Sequence, residues 1–216
     1  MQFNITNKSI IDLSKIFSPT ILKELCSTGN SKKLRKILDE LNLLYQVDLK
    51  KNLESFFNDI YKILLKNYRN EYIYRNIIIK KILLGIHSLN TAHLINECRV
   101  GNSKADCVIL NGTSTVYEIK TQFDTFSRLH SQLDDYKKAF EYVYIVVPIE
   151  TLKKLEGYNL DENIGIMVLN KNSTISKTRL AKSNKNYFNK ETIFDILRKN
   201  EYIEIISKYY EIPSIP

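Results

Sequence analysis

Two runs of sequence, Lys104-Ala-Asp-Cys-Val-Ile-Leu110 and Val116-Tyr-Glu-Ile-Lys120, lie on either side of an Asn111-Gly112 turn. Short apolar runs separated by such a turn are typical of a β-hairpin. Both runs also contain charged side chains. Burying a charge among apolar neighbours costs free energy unless the charge is paired or bound to a metal ion. The sequence therefore predicts a functional site made of three residues, Asp106, Glu118 and Lys120.

Whether these side chains meet depends on the loop between the strands. Glu118 and Lys120 are two residues apart on a strand, so they lie on the same face. Asp106 shares that face only if it lies opposite one of them, which requires a loop with an odd number of residues. A three-residue loop with Gly112 in the left-handed conformation provides it. A two-residue Asn-Gly loop would turn Asp106 to the other face, unless a bulge or bend restores the geometry.

Two carboxylates on one face supply oxygen ligands for a hard divalent cation such as Mg²⁺ or Mn²⁺. Asp106 and Glu118 are the expected ligands, and the backbone carbonyl of Ile119 could add a third. Such a cation lowers the pKa of a bound water and neutralises charge on phosphorus. Lys120 could orient the attacking water or stabilise the transition state. The alternative is a cross-strand salt bridge on an exposed face, which the apolar flanking residues disfavour.

The rest of the chain has the periodicities of a mixed α/β protein. Residues 19–66 are predicted to be helical because apolar residues recur at three- and four-residue spacing. These are Leu34, Ile37, Leu38, Leu41 and Leu44, followed by Leu49, Leu53, Phe56, Phe57, Ile60, Ile63 and Leu64. A further helix is expected at about 71–84, with a cap among residues 67–70.

A three-stranded meander is expected next, over residues 94–100, 105–110 and 116–121, because turn residues separate these runs. Asp124-Thr125 predicts the cap of a helix that continues to Phe140. The unbroken apolar run 142–147 predicts a strand that is buried on both faces. A short helix, a strand and a helical tail follow at about 151–156, 164–169 and 190–210. Strand, helix and strand form a crossover unit, so part of the sheet should be parallel.

Composition limits the classes of partner and the location. The chain of 216 residues has a net charge of +8 and a pI near 9.2, which suits a polyanionic partner. The codon bias of an AT-rich genome is the alternative source of this basicity. Cys26, Cys98 and Cys107 are odd in number and widely spaced, which argues against a disulfide scaffold and against a zinc site. Because no signal-like or membrane-spanning apolar stretch occurs, a cytoplasmic protein is expected.

On these residues the chain resembles the PD-(D/E)xK nuclease superfamily, which includes restriction endonucleases, Holliday-junction resolvases and RecB-type exonuclease domains. The likeness covers about residues 70–170 and rests on Asp106-x11-Glu118-x-Lys120, with Ala105-Asp106 where the superfamily has Pro-Asp. Gln132 and Tyr136, four residues apart on the next helix, are similar to the Gln-x-x-x-Tyr element of RecB-type nucleases. In detail the segment is similar to an uncharacterised bacterial and phage family, which implies no substrate.

The resemblance implies an α/β, restriction-endonuclease-like core within residues 67–170, in the order α-β-β-β-α-β, with helices flanking a mixed central sheet. Residues 1–66 would form an N-terminal helical region, and residues 171–216 a basic segment and a C-terminal helix. Asp106, Glu118 and Lys120 are the implied catalytic residues, and Glu71 is the implied additional metal ligand. Contacts with the nucleic-acid backbone near the metal ion are expected from Arg128, Gln132 and Tyr136.

Basic residues are concentrated in residues 171–190, which contain no acidic residue: Lys171, Lys177, Arg179, Lys182, Lys185 and Lys190. Tyr187 and Phe188 lie among them. Such a strip suits a groove that follows a phosphate backbone or stacks bases. The candidate contacts are Lys177, Arg179 and Lys182, and a solvated loop is the alternative.

Other candidates have more ordinary interpretations. Glu71 could favour the helix dipole from the first turn instead of binding metal. Glu97 is a second candidate ligand, although pairing with Arg99 is the simpler interpretation, and Asp124 is expected as an N-cap. The histidines do not cluster in the sequence, so no histidine site is expected at His87, His93 or His130.

The sequence therefore predicts a divalent-metal-dependent nuclease that hydrolyses phosphodiester bonds, with DNA favoured over RNA and Mg²⁺ or Mn²⁺ as cofactor. One alternative is a non-catalytic nucleic-acid-binding module with the same fold. Another is a nuclease subunit or toxin payload, in which residues 1–66 dock a protein partner or a second copy of the chain. Neither a membrane nor a nucleotide cofactor is expected, since the sequence has no nucleotide-binding loop.

Overall fold

The computed structural model describes residues 7–43, 52–86 and 90–210. The chain divides into two compact units, Met1–Arg69 and Asn70–Pro216. Residues 171–216 therefore belong to the same unit as the predicted strands. Leu44, Leu49 and His87, which entered the predictions above, lie outside the described residues.

Every element of secondary structure described in the first unit is a helix. It contains α1 (Asn7–Ser14), a 3-10 turn (Lys15–Phe17), α2 (Pro19–Thr28), α3 (Lys32–Glu40) and α4 (Leu53–Asn67). Side-chain caps begin two of these helices, because Ser31 accepts from Leu34 N and Asn52 accepts from Ser55 N. The apolar periodicity of the sequence is confirmed here by burial of Leu34, Leu38 and Ile60, among others.

The second unit begins with a helix whose cap the sequence indicated. The side chain of Asn70 accepts a hydrogen bond from Ile73 N and starts α5 (Glu71–Ile78). A π-helical turn (Ile79–Leu83) and α6 (Leu84–Ile86) follow. The apolar face of α5 is buried, and α5 contacts the third strand of the sheet described next.

A mixed sheet of six strands forms the centre of the second unit. Its strands are β1 (His93–Val100), β2 (Ser103–Leu110), β3 (Ser114–Ile119), β4 (Tyr142–Pro148), β5 (Gly165–Leu169) and β6 (Ile175–Arg179). They lie side by side in chain order. β2 is antiparallel to both of its neighbours, β1 and β3. β3, β4 and β5 are parallel, and β6 is antiparallel to β5. The predicted meander, the crossover and the mixed α/β class are confirmed.

Helices lie between and after the strands. They are α7 (Leu129–Lys137), α8 (Ile149–Glu156), a 3-10 turn (Lys185–Tyr187), α9 (Lys190–Ile196) and α10 (Lys199–Tyr210). Packing of α7 against β2 and β4 places Leu129, Leu133 and Tyr136 in the core. Residues 143–148 of β4 are all buried, so the central strand was predicted correctly.

One local prediction was wrong, and one strand was missed. The helix after Lys120 begins at Leu129 and not at Asp124, because the Asp124 carboxylate closes a turn by accepting hydrogen bonds from the backbone N–H and hydroxyl of Thr121. Strand β6 was not predicted, and it lies in the basic segment 171–190, for which a solvated loop was the alternative to a nucleic-acid groove. Its sequence Ile-Ser-Lys-Thr-Arg contains a single large apolar residue, and three of its five residues are exposed.

Candidate functional site

The hairpin between β2 and β3 decides whether the carboxylates meet. Leu110 pairs with Ser114, so the loop has three residues, and Gly112 within it has a φ of 84°. The pairing runs to Cys107 and Tyr117, and its continuation puts Asp106 opposite Glu118. The odd-length loop with a left-handed glycine, which the sequence analysis required, is confirmed.

Beyond that pair the two strands separate, and the side chain of Asp106 accepts a hydrogen bond that a backbone carbonyl of β2 would otherwise accept. Ile119 N donates to Asp106 Oδ2 at 2.8 Å, whereas Lys120 N donates to Val146 O of β4 at 3.0 Å. Alternate N–H groups of β3 thus point to opposite neighbours, and the Asp106 carboxylate replaces the missing carbonyl on the β2 side. This contact fixes the carboxylate at the end of β3.

Glu118 and Lys120 form a buried ion pair. Lys120 Nζ lies 2.8 Å from Glu118 Oε1, and the two residues are 9% and 1% exposed. Gln132 on α7 bridges them, because its Nε2 donates to Glu118 Oε1 at 2.7 Å and its Oε1 accepts from Lys120 Nζ at 2.9 Å. A side chain that contacts both partners fixes their relative position.

Tyr136 holds the second oxygen of Glu118. Its hydroxyl lies 2.8 Å from Glu118 Oε2 and 2.9 Å from the carbonyl oxygen of Lys104, and the residue is fully buried. Burial and the negative charge of Glu118 raise the pKa of Tyr136, so the hydroxyl keeps its proton. A hydroxyl has a single proton to donate, so the two acceptors share it.

Negative charge exceeds positive charge around Asp106. Burial, then the charges of Glu118 and Glu71, raise the pKa of Asp106 to about 7, although the Ile119 N–H and Lys120 oppose the rise. A carboxyl whose ionised form is destabilised in this way favours an added positive charge. Protonation supplies one at low pH, and a metal cation can supply one when bound.

Asp106, Glu118 and Lys120 line a cleft of about 730 Å³ in the second unit. Its lining is mostly charged and polar: Glu71, Asn102, Ser103, Lys104, Asp106, Glu118, Ile119, Lys120, Asp124, Arg128, Ser131, Gln132, Asp134, Asp135 and Lys138. Seven residues named from the sequence as site residues therefore lie on one surface, although they come from four different elements and the connection between β3 and α7. They are Glu71, Asp106, Glu118, Ile119, Lys120, Arg128 and Gln132.

The chain is similar to phage proteins across most of the second unit. The family described as bacteriophage P4 protein cII matches residues 65–214. This chain belongs to that family. The cII protein of Enterobacteria phage P4 is 28% identical over 125 residues, which are 56% of this chain and 47% of the phage protein. The chain thus spans about half the length of this curated relative of the P4 cII family.

Two solved structures are also similar to this P4 cII family member. A protein of unknown function from Silicibacter pomeroyi has 15% identity and a TM-score of 0.38, over 58% of this chain and 86% of that one. The Pyrococcus furiosus SfsA structure in complex with Ca²⁺ has 17% identity and a TM-score of 0.29, over 51% and 62%. Similarity at this level carries no argument about the site. None of the described helices combines the length and apolar character needed to cross a membrane.

The donor set of the P4 cII family member offers few protein ligands to a metal ion. Within residues 7–43, 52–86 and 90–210, no group of three or more His, Cys, Asp or Glu side chains is arranged to hold one. Two carboxylates and a carbonyl oxygen remain, from Asp106, Glu118 and Ile119. Glu118 Oε1 already accepts two hydrogen bonds, whereas Oε2 accepts from Tyr136 and retains a lone pair. This set fits Mg²⁺ or Mn²⁺, which commonly keep several waters and bind through one or two carboxylates.

Glu71 and Glu97, the two candidates for an additional ligand, are both held by cations. Glu71 pairs with Arg75 on the next turn of α5. Glu97 pairs with Lys104 at 2.8 Å and with Arg75 at 3.7 Å, so the expected pairing with Arg99 was wrong. Glu97 also has a φ of 56°, an uncommon conformation for a residue other than glycine. Of the two, Glu71 lies in the lining of the cleft.

The three basic candidates from residues 171–190 lie outside the lining of the cleft. Arg179 donates to the carbonyl oxygens of Ile164 and Asp161, and Lys182 pairs with Glu162 at 2.6 Å. Lys177 lines a separate recess of about 240 Å³ beside Tyr117 and Tyr144. Arg179 therefore has a structural role in joining β6 to the loop before β5.

The sequence did not indicate several groups that only the folded structure brings close to the site residues. Arg75, the Lys104 carbonyl and the acidic pair Asp134 and Asp135 were not named, although all lie in or beside the cleft. The spacing of Glu71 and Arg75, four apart on a helix, was a usable signal for their ion pair. His130 lies against the ring of Tyr158.

Proposed function

We propose that the second unit is a divalent-metal-dependent nuclease of the PD-(D/E)xK type, which hydrolyses phosphodiester bonds in DNA ahead of RNA. One observation carries the proposal: Asp106 and Glu118 share one face at the end of β3, with Lys120 2.8 Å from Glu118, in an open cleft. A buried carboxylate and a partly buried one with a strongly raised pKa, converging in a cleft, are candidates for a functional site.

The cation would be held by Asp106, Glu118 and the carbonyl of Ile119. Glu71 is the proposed additional ligand, and its ion pair with Arg75 would have to open for that role. A bound Mg²⁺ or Mn²⁺ supplies a water of lowered pKa and neutralises charge on the phosphate. Asp106 must be ionised to act as a ligand, so metal affinity should fall as the pH falls below about 7.

The side chains of this chain supply positive charge and position. Lys120 carries a positive charge into the cleft, where it would stabilise the negative charge that develops on the phosphate oxygens. Gln132 prevents Lys120 from turning away, because it accepts from Nζ while it donates to Glu118. Tyr136 holds the other oxygen of Glu118 from within the core. Arg128 and Gln132 also line the cleft and are the proposed contacts to the nucleic-acid backbone.

The test is cleavage of single- and double-stranded DNA and RNA in Mg²⁺ or Mn²⁺. Lys120→Ala should lose roughly a hundredfold or more of the activity, as for other groups that stabilise a transition-state charge. Lys153→Ala is the matched control, since Lys153 is an exposed lysine on α8 and its replacement should leave activity unchanged. Equal cleavage by wild type and Lys120→Ala would refute the assignment.

A specific observation favours a second candidate, a non-catalytic nucleic-acid-binding module. Glu118 is satisfied without a metal ion, because Lys120, Gln132 and Tyr136 already supply three donors. In such a module the charged cluster would be structural. Binding of DNA that is unaffected by Mg²⁺, with no cleavage of any substrate, would favour it over the nuclease.

A further inference from the structure

Tyr187 and Phe188 are consecutive exposed aromatic residues near the wall of the cleft, and we call this pair the aromatic platform. The two residues are 50% and 37% exposed. Exposed aromatic rings are the side chains on which unpaired bases of a nucleic acid stack. The site proposed above uses neither residue.

The backbone under the platform is firmly anchored. Asn184 is fully buried, and both its N–H and its Nδ2 donate to the carbonyl oxygen of Glu141, at 2.8 and 3.1 Å. On the other side, Asn189 N donates to the carbonyl oxygen of Lys138 at 2.9 Å. Residues 184–189 are therefore fixed against the C-terminal end of α7, so the rings are exposed on a rigid segment.

Tyr187 is joined to the wall of the cleft through Lys137. Lys137 Nζ lies 5.3 Å from the centroid of the Tyr187 ring, and 3.1 Å from a carboxylate oxygen of Asp134, which lines the cleft. The Lys137 side chain is only 13% exposed, and its Nζ also lies 2.9 Å from Asp161 Oδ2. The Lys137 ammonium group thus lies against the Tyr187 ring, and Tyr187 remains 50% exposed.

The charge of the surrounding segment identifies the kind of partner. Residues 171–190 contain six basic residues and no acidic one, and Lys185 and Lys190 flank the platform. Glutamates outside the segment pair with three of the six, Lys171, Lys182 and Lys185, so the segment keeps a net positive charge. A positively charged surface with exposed aromatic rings fits single-stranded nucleic acid, whose phosphates meet the cations while its bases stack on the rings. A duplex, with its bases already stacked, offers no face to Tyr187.

We infer that the aromatic platform stacks an unpaired base of a nucleic-acid strand whose neighbouring phosphodiester lies in the cleft. The inference rests on the proposed function for the chemistry in the cleft, and it adds the substrate class: a strand with at least one unpaired base next to the cleavage site.

Binding measured in EDTA separates this inference from the nuclease proposal, because no metal-dependent cleavage occurs there. A fluorescein-labelled oligodeoxythymidylate should bind Tyr187→Leu roughly tenfold more weakly than wild type, as expected for the loss of one base–aromatic stack. Tyr187→Phe keeps the ring and should bind like wild type. Tyr209→Leu removes a tyrosine that is 74% exposed on α10 and should also bind like wild type.

A crosslinking experiment on the wild-type protein covers the case in which Tyr187→Leu fails to fold. Irradiation of the protein with a bromouracil-substituted single strand in EDTA should give crosslinks that map to Tyr187 or Phe188. Crosslinks that map only elsewhere would overturn the inference, as would unchanged binding by Tyr187→Leu or an equal loss in Tyr209→Leu. If the wild type crosslinks at the platform yet cleaves nothing in Mg²⁺ or Mn²⁺, the nuclease proposal is wrong, whereas the inferred stacking of a base on the platform is supported.

Discussion

Replacing Asp106 by Asn should make the metal-free protein more stable at alkaline pH. In the folded protein, burial and two neighbouring carboxylates raise the pKa of Asp106 from 3.8 to about 7. Below 3.8 the carboxyl is protonated in both the folded and the unfolded chain. Between 3.8 and about 7 the unfolded chain releases this proton while the folded protein keeps it, so the free energy of unfolding falls as the pH rises. Above about 7 the loss is complete.

The size of the effect follows from the same two pKa values. Raising the pKa from 3.8 to about 7 destabilises the ionised folded state by about 4 kcal/mol. Of this, about 3 kcal/mol develops between about pH 5 and about pH 8. Asn cannot ionise, and its amide oxygen can still accept from Ile119 N, with a loss of about 1 kcal/mol because the acceptor is now neutral.

Denaturation by urea, followed by circular dichroism in the presence of a chelator, measures the effect. The free energy of unfolding of Asp106→Asn relative to wild type should increase by about 3 kcal/mol between about pH 5 and about pH 8. Asp195→Asn is the matched control, since Asp195 is an exposed aspartate on α9. Its stability should stay within about 0.5 kcal/mol of wild type at both pH values.

Added Mg²⁺ should make the wild type more stable than Asp106→Asn. Under the proposed function the wild type should gain stability by binding the cation, whereas Asp106→Asn lacks one of the proposed ligand carboxylates. A difference between the two proteins that is independent of pH would refute the reasoning, because the strain at Asp106 would then not be electrostatic. Equal stabilisation of both proteins by Mg²⁺ would remove Asp106 from the proposed metal ligands.

Two further substitutions test the packing that holds the site. Tyr136→Phe removes the hydroxyl that satisfies Glu118 Oε2 and a backbone carbonyl, so urea denaturation should record a loss of about 1–3 kcal/mol; an unchanged midpoint would contradict that role. Gly165→Ala should cost about 1–3 kcal/mol, because a Cβ atom there would lie 2.3 Å from the ring of Tyr144. Its control, Gly157→Ala, meets no atom closer than 3.6 Å and should change stability little, so a similar loss in both variants would count against steric conflict.

The sequence predicted the hairpin and its register because that information is local. The Asn111-Gly112 turn, the two-residue period of the strands and the cost of a buried charge together required Asp106 and Glu118 to share a face. Gln132 and Tyr136 were correctly placed on one helix face by their spacing. Their partner was not predictable, since Glu118 lies 14 and 18 residues away and only the packing of α7 on the sheet brings them together.

Strand β6 and the turn at Asp124 were missed for different reasons. An edge strand needs few apolar residues, so Lys177 and its neighbours look like a solvated loop in the sequence. An aspartate side chain accepts the same kind of backbone hydrogen bond in a turn and at a helix N-terminus. The identity of residue 124 therefore could not distinguish a turn from a helix cap. The ion pairs of Glu97 depended on contacts from α5 and β2, which no sequence spacing from Arg99 could indicate.

Nuclease activity of Asp106→Asn is the most direct test of the central claim that Asp106 and Glu118 form a metal-dependent hydrolytic site. The variant should remain folded, and above neutral pH it should be more stable than wild type in a chelator, so a loss of activity cannot be ascribed to unfolding. Wild type should cleave single-stranded DNA in Mg²⁺ or Mn²⁺, and Asp106→Asn should not. Cleavage by the variant at the wild-type rate would contradict the account.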